Sequence, residues 1–315
     1  MKYRQLTEGV RYQIALLFGE KISLTEISKR VGVSKSTVSR ELRRNSVAGD
    51  YSAAEAQRLS EARRRSAARR SIGPDTVFYV ETGLCWKWSP EQISAICKRI
   101  GSPVSHEWIY QHVQADKANG GELYKHLRQG KRRYRKGYGT KRGRIPDAVS
   151  IEQRPVVVDE RSRLGDWEAD LVLGAQGTGA IVTLAERKSR IYLTKKVFSK
   201  ESGEVSSAII SMLSSYKDVC HTITFDNGGE FSEHRAIAEA LEAKTYFAHP
   251  YASHERGLNE NTNGLLRQFI PKGTDLRTVS EEDLQHYQNS LNSRPRKCLG
   301  FRQPSVVFAE LRMAA

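Results

Sequence analysis

Thr222-Ile223-Thr224-Phe225-Asp226-Asn227-Gly228-Gly229-Glu230 reads as a short apolar strand that stops on a carboxylate. Similar runs precede it at Glu168–Leu173, Ala180–Ala185 and Ile191–Val197, and one follows at Thr245–Ala248. Helical periodicity fills two of the gaps. One stretch is Gly203–Tyr216, with Val205, Ile209, Met212 and Leu213 on one face, and the other is Glu233–Glu242. Gly174–Gly179 has the composition of a hairpin loop. Three strands in a row followed by strands separated by helices predict a mixed five-stranded α/β sheet. Its first three strands would be antiparallel, and its later ones joined by crossover helices.

Acidic residues cluster at three points of this region. In Gly165-Asp166-Trp167-Glu168-Ala169-Asp170, the period of two puts Asp166, Glu168 and Asp170 on one strand face. Three like charges there repel unless a cation or a basic partner is present. Asp226 ends the quoted strand, and Glu260 lies in Arg256-Gly257-Leu258-Asn259-Glu260-Asn261, which runs into a helix with Leu265, Leu266, Phe269 and Ile270. Two strand carboxylates and a helical one can converge, and such hard oxygen donors suit Mg²⁺ or Mn²⁺. Two such ions, roughly 3.5–4 Å apart, clamp the attacking and leaving oxygens of a phosphoryl displacement. Taken singly, each cluster has a plainer reading. Asp226-Asn227-Gly228 makes a turn in which Asn-Gly favours positive φ, Glu260 is a surface helix charge, and Asp166 and Glu168 are structural.

The N-terminal half has another character. Of the net charge of +15, residues 1–150 hold the whole excess, with 30 Lys+Arg against 14 Asp+Glu, while residues 151–315 have 21 against 22. Such a bias fits a polyanion, because Lys and Arg release counterions condensed on nucleic acid. Thr7 caps a first helix carrying Val10, Ile14, Leu17 and Phe18, and Ser23-Leu24-Thr25-Glu26 opens a second in capping-box form. Gly32 turns the chain, and Ser34 caps a third helix with Val38 and Leu42 inward. Helix, tight turn, helix is the helix-turn-helix pattern. The outward residues Lys35, Ser36, Ser39, Arg40, Arg43 and Arg44 are of the types that meet phosphates and base edges in a major groove. The plainer alternative is a small bundle with a charged face.

A second such unit opens with Ser89-Pro90-Glu91-Gln92, places Ile93, Ile96 and Ile100 inward, and continues from Ser105 with Trp108, Ile109 and Val113 as core. Its outward His106 and Tyr110 are candidate DNA contacts, although the face is barely basic and serves equally for packing. Residues 128–144 hold nine Lys or Arg in seventeen positions, Lys131, Arg132, Arg133, Arg135 and Lys136 among them. This composition builds no core and suits either a DNA-ordered arm or a linker. The organisation expected is a helix-turn-helix at 1–50, a basic helical linker at 51–74 and a second helix-turn-helix at 75–117. A basic flexible linker follows at 118–155, then a catalytic domain at 156–272 and a C-terminal helix with a basic tail at 273–315. Cys85, Cys97, Cys220 and Cys298 form no C-x-x-C pair, so free and mostly packed thiols in a reducing cytoplasm are expected, with no membrane span.

With these segments in place, the chain resembles the insertion-sequence-thirty family of DDE transposases. The likeness rests on 165–170 (GDWEAD), 186–190 (ERKSR), 224–230 (TFDNGGE), 256–268 (RGLNENTNGLLRQ) and 291–297 (LNSRPRK), with 36–45 (STVSRELRRN) and 88–93 (WSPEQI) upstream. The 33 residues between Asp226 and Glu260 match the family's spacing. The resemblance implies a ribonuclease-H-like catalytic core with Asp170, Asp226 and Glu260 as catalytic acids and ligands of two Mg²⁺ or Mn²⁺ ions, Glu168 being the alternative first acid. It also implies binding to double-stranded terminal inverted repeats and target DNA, strand cleavage and strand transfer, in a homodimer or larger assembly. The alternative function is a non-catalytic, sequence-specific DNA-binding regulator.

Overall fold

A computed structural model describes residues 5–47, 49–67, 72–128, 145–250 and 252–314. The chain divides into two compact units, residues 1–71 and 72–315.

The first unit is helical: α1 (Glu8–Gly19), α2 (Leu24–Val31), α3 (Lys35–Asn45) and α4 (Ala53–Ala67). Thr7, Ser23 and Ser34 cap the first three by accepting from the backbone N–H three residues on, and Gly32 takes the left-handed turn between α2 and α3. Ile14, Ile27, Val38 and Leu42 form the buried centre. The segment expected as a basic helical linker is helical, and as α4 it packs on α1 and α3. The reason lies in buried polar bonds. Arg11 is held by Glu41 at 2.7 Å and donates to Gln57 and Ser60, so α4 closes over a buried ion pair.

The second unit begins with α5 (Pro74–Cys85), α6 (Pro90–Arg99) and α7 (His106–Ala118). The Ser89–Gln92 capping box forms in both directions. Ile93 and Cys97 are buried, whereas Ile100, expected inward, is exposed because it caps the end of α6. A short α8 (Val156–Glu160) leads into the sheet of β1 (Asp166–Leu173), β2 (Ala180–Glu186), β3 (Tyr192–Val197), β4 (Thr222–Phe225) and β5 (Lys244–Phe247). Strand order is β3-β2-β1-β4-β5. The first three strands are antiparallel, and β4 runs parallel to both β1 and β5, as the pattern of strands and helices predicts. This is the mixed sheet expected of a ribonuclease-H-like core.

One face of the sheet is covered by α9 (Ser202–Leu213) and α10 (His234–Leu241), around Trp167, Leu184, Ile209, Ile223 and Phe225. The other is covered by α11 (Gly257–Leu266) and α12 (Glu281–Asn292), through Leu258, Leu265, Leu266, Leu284 and Leu291 against Ile181 and Tyr192. A last helix, α13 (Pro304–Met313), was not expected; its Phe308 packs edge-on against Trp167 and Tyr216. The Arg294-Pro295-Arg296-Lys297 loop, which falls in the segment expected as a basic tail, is instead largely interior. Arg294 and Arg296 are buried, Pro295 O accepts from Gln92 Nε2 at 2.6 Å, and Lys297 pairs with Glu91. These bonds fasten α6 to the end of the chain.

Among the described residues, no helix is long and apolar enough to cross a membrane. The four cysteines are free, but only Cys97 and Cys220 are packed, while Cys85 and Cys298 are exposed.

Candidate active site

The three acids of β1 differ in what neutralises them. Asp166 and Glu168 are fully buried. Asp166 accepts from Arg163 Nη2 at 2.9 Å and from Thr222 Oγ1 at 2.7 Å. Glu168 is paired with the buried Arg187 and accepts from the backbone N–H of Asn259 at 3.1 Å. Each is therefore committed to an internal partner, which weighs against Glu168 as the first acid and supports the structural reading of both. Gly165 makes this start of the strand possible. Its φ is +98°, and a Cβ there would sit 1.6 Å from Val219 O.

Asp170 has a different surrounding. Parallel pairing of β1 with β4 aligns Asp166 with Thr222 and Glu168 with Thr224. Continued by two residues, that register sets Asp226 beside Asp170. The two share one cation: Arg256 Nη1 lies 3.6 Å from Asp170 Oδ1, and Arg256 Nη2 lies 3.3 Å from Asp226 Oδ2. Burial pushes the Asp170 carboxyl above its ordinary value. Arg256 opposes this, and Asp226 adds to it as a like charge. Asp226 also closes a turn, accepting from Gly228 N at 3.0 Å, so the plain reading of Asp226-Asn227-Gly228 holds as well. Gly228 does so at a φ of −78°, not at the positive φ expected of Asn-Gly.

Helix α11 brings up the third acid. Arg256, at its N-cap, is followed by Glu260, Asn263 and Arg267 at a spacing that lines up one helix face. Arg256 Nη1 donates to Ala169 O at 2.9 Å, Asn263 Nδ2 to Asp170 Oδ2 at 2.8 Å, and Arg267 Nη2 to Leu173 O at 2.8 Å. Three contacts on that face thus follow β1, and Glu260 stands between two of them. Glu260 itself is exposed. Among the described residues, no three Asp, Glu, His or Cys side chains are gathered at metal-holding distance. The donors present still suit a hard divalent cation, because two carboxylates face one gap already filled by positive charge and a third stands on the adjoining helix face. Arg256 and Asn263 were part of the sequence motif without an assigned role. Their signal was the helical spacing with Glu260.

The DNA-reading candidates are placed as follows. Lys35, Ser36, Ser39, Arg40, Arg43 and Arg44 are all exposed on α3, with Arg40 Nε donating to Ser36 O at 3.0 Å. His106 and Tyr110 are exposed on α7. Lys131, Arg132, Arg133, Arg135 and Lys136 lie outside the described residues.

Residues 2–45 match the family described as "Helix-turn-helix domain". The transposase for insertion sequence element IS4351 of Bacteroides fragilis is 41% identical, the alignment covering 98% of this chain and 96% of that one. The transposase for insertion sequence element IS1086 of Cupriavidus metallidurans is 39% identical, over 98% and 96%. Transposase InsI for insertion sequence element IS30A of Escherichia coli is 33% identical, over 96% and 83%. A solved catalytic core domain of BIV integrase aligns with 47% of this chain and 96% of its own at 19% identity and a TM-score of 0.38. By identity over nearly its whole length, the chain belongs to the insertion-sequence-thirty family of transposases.

Proposed function

We propose that the protein is a metal-dependent DNA transposase that binds the terminal inverted repeats of an insertion sequence, cleaves strands at their ends and joins them to target DNA. The observation that carries this reading is that Asp170 and Asp226 face one guanidinium, Arg256, at 3.6 Å and 3.3 Å, beneath a helix face that bears Glu260. These three acids would hold two Mg²⁺ or Mn²⁺ ions. When bound, such ions activate the attacking hydroxyl and stabilise the departing 3′ oxygen. The protein's own part is to hold the carboxylates in place: Asn263 fixes one oxygen of Asp170, and the β1–β4 register fixes the spacing of the pair.

The exposed basic and hydroxyl face of α3 would read the repeat, and α7 would lie on adjacent duplex. Because two ends are joined in one reaction, the working form would be a homodimer or larger assembly. Strand transfer with Mg²⁺ or Mn²⁺ on labelled DNA carrying the element's ends tests this reading, with Asp226→Asn alongside. Joined products from the wild type alone are expected. DNA binding without cleavage or joining would leave a DNA-binding regulator.

A further inference from the structure

Arg256 stands where positive charge is most needed and where a metal-dependent enzyme would have to admit a different cation. It is buried at the N-cap of α11, with its guanidinium between Asp170 and Asp226, at 3.6 Å and 3.3 Å from their oxygens. Without it, two adjoining carboxylates would face each other uncompensated. Its hold on the fold runs through the nitrogen that also faces Asp170: Nη1 donates to Ala169 O at 2.9 Å, and the buried Nε meets no acceptor. The guanidinium is thus anchored at one nitrogen, incompletely bonded along the rest of its edge, and attracted by the two carboxylates. A hard divalent ion drawn to the same oxygens carries charge of the same sign as Arg256, so the two compete for one gap.

We propose that Arg256 is the resident counter-ion of the Asp170–Asp226 pair and gives way when a divalent cation binds, setting the affinity of the site for metal as a positioning residue. The inference rests on the reading of Asp170 and Asp226 as metal ligands. Arg256 offsets part of the charge of the pair, and the fraction of molecules in which it has moved aside scales the apparent metal affinity.

The test is Mn²⁺ binding to the full chain without DNA, followed by the paramagnetic signal of free Mn²⁺, for wild type, Arg256→Gln, Arg256→Lys and Asp226→Asn. Arg256→Gln is expected to bind Mn²⁺ tighter by on the order of tenfold. Arg256→Lys, which keeps the competing charge, is expected to stay near wild type. Melting curves with and without Mn²⁺ give an independent reading: Arg256→Gln should melt lower in chelator and gain more from Mn²⁺ than wild type does. Unchanged or weaker Mn²⁺ binding by Arg256→Gln would overturn the inference while leaving the metal site in place. If wild type binds Mn²⁺ no better than Asp226→Asn, the metal reading itself falls, and this inference with it.

Discussion

Asn263 donates from Nδ2 to Asp170 Oδ2 at 2.8 Å, tying α11 to β1 at the residue that begins the candidate site. The same amide is oriented from behind, because its Oδ1 accepts from the hydroxyl of the fully buried Tyr192 at 2.7 Å. A buried tyrosine thus fixes an amide, the amide fixes a carboxylate oxygen, and the helix carrying the amide also carries Glu260.

Replacing Asn263 by Ala removes that orientation without removing a ligand. Strand transfer should fall by about 10–100-fold, the range typical of groups that orient metal ligands. Asn263→Asp, which sets a second negative charge against Asp170, should fall further. Initial joining rates at fixed Mn²⁺ measure both, and an unchanged rate in Asn263→Ala would show that the bond is incidental.

Asp226→Asn and Glu260→Gln remove the charge of two proposed ligands and leave the exposed basic face of α3 untouched. Both are expected to abolish cleavage and joining while binding end DNA as wild type does. Parallel gel-shift and joining assays separate the two properties, and metal-dependent turnover in both variants would defeat the site assignment.

Glu168 pairs with the buried Arg187. Glu168→Ala leaves that guanidinium only the more exposed Asp159, 3.4 Å away, and should cost about 3–5 kcal/mol. Denaturant melts of Glu168→Ala read this directly. A loss of joining activity with undiminished stability would return Glu168 to the list of candidate acids.

Arg40 and Arg43 are exposed on α3. If either meets a base edge, its replacement by Ala should weaken repeat binding by about 1–3 kcal/mol and reduce discrimination against unrelated DNA. Binding titrations against repeat and scrambled duplexes distinguish this from a phosphate contact, which weakens both alike.

His249 lies on the segment between β5 and α11, and the hydrogen bond and charge of Glu255 hold its imidazole above the ordinary value, with Glu152 adding to the effect. A raised folded-state value means that its ion pairs support the fold fully below the unfolded imidazole value of about 6.5 and are lost as pH rises through the higher folded value. Proton resonances of His249 should titrate above the free-imidazole value, and Glu255→Gln should bring them down.

Much of the architecture was legible in local pattern. The apolar strand runs, the Gly174–Gly179 hairpin and the serine caps at 23, 34, 89 and 105 are short-range features, and each sits where propensity and capping chemistry place it. Helix α4 was misjudged as linker because its Ala-rich apolar face is narrow and its anchor is polar, Arg11 reaching Gln57 and Ser60 across more than forty residues. The basic loop after α12 was misjudged because charge suggests solvent, whereas Arg294 spends a donor on Gln268 and Arg296 on Leu291 O in the interior.

At the candidate site the division is sharper. The amino-acid sequence alone determined which carboxylates were available, their spacing and the elements that bear them, because periodicity and motif are properties of neighbouring residues. Only the tertiary structure decided which partner each of the three acids on β1 would meet. Asp166 received Arg163 and Glu168 received Arg187, whereas Asp170 came to share Arg256 with Asp226. Arg163 is only three residues from Asp166, but Arg187 and Arg256 come from distant parts of the chain. Coulomb attraction acts on distance in space, and for those two only chain folding sets which charge stands near which.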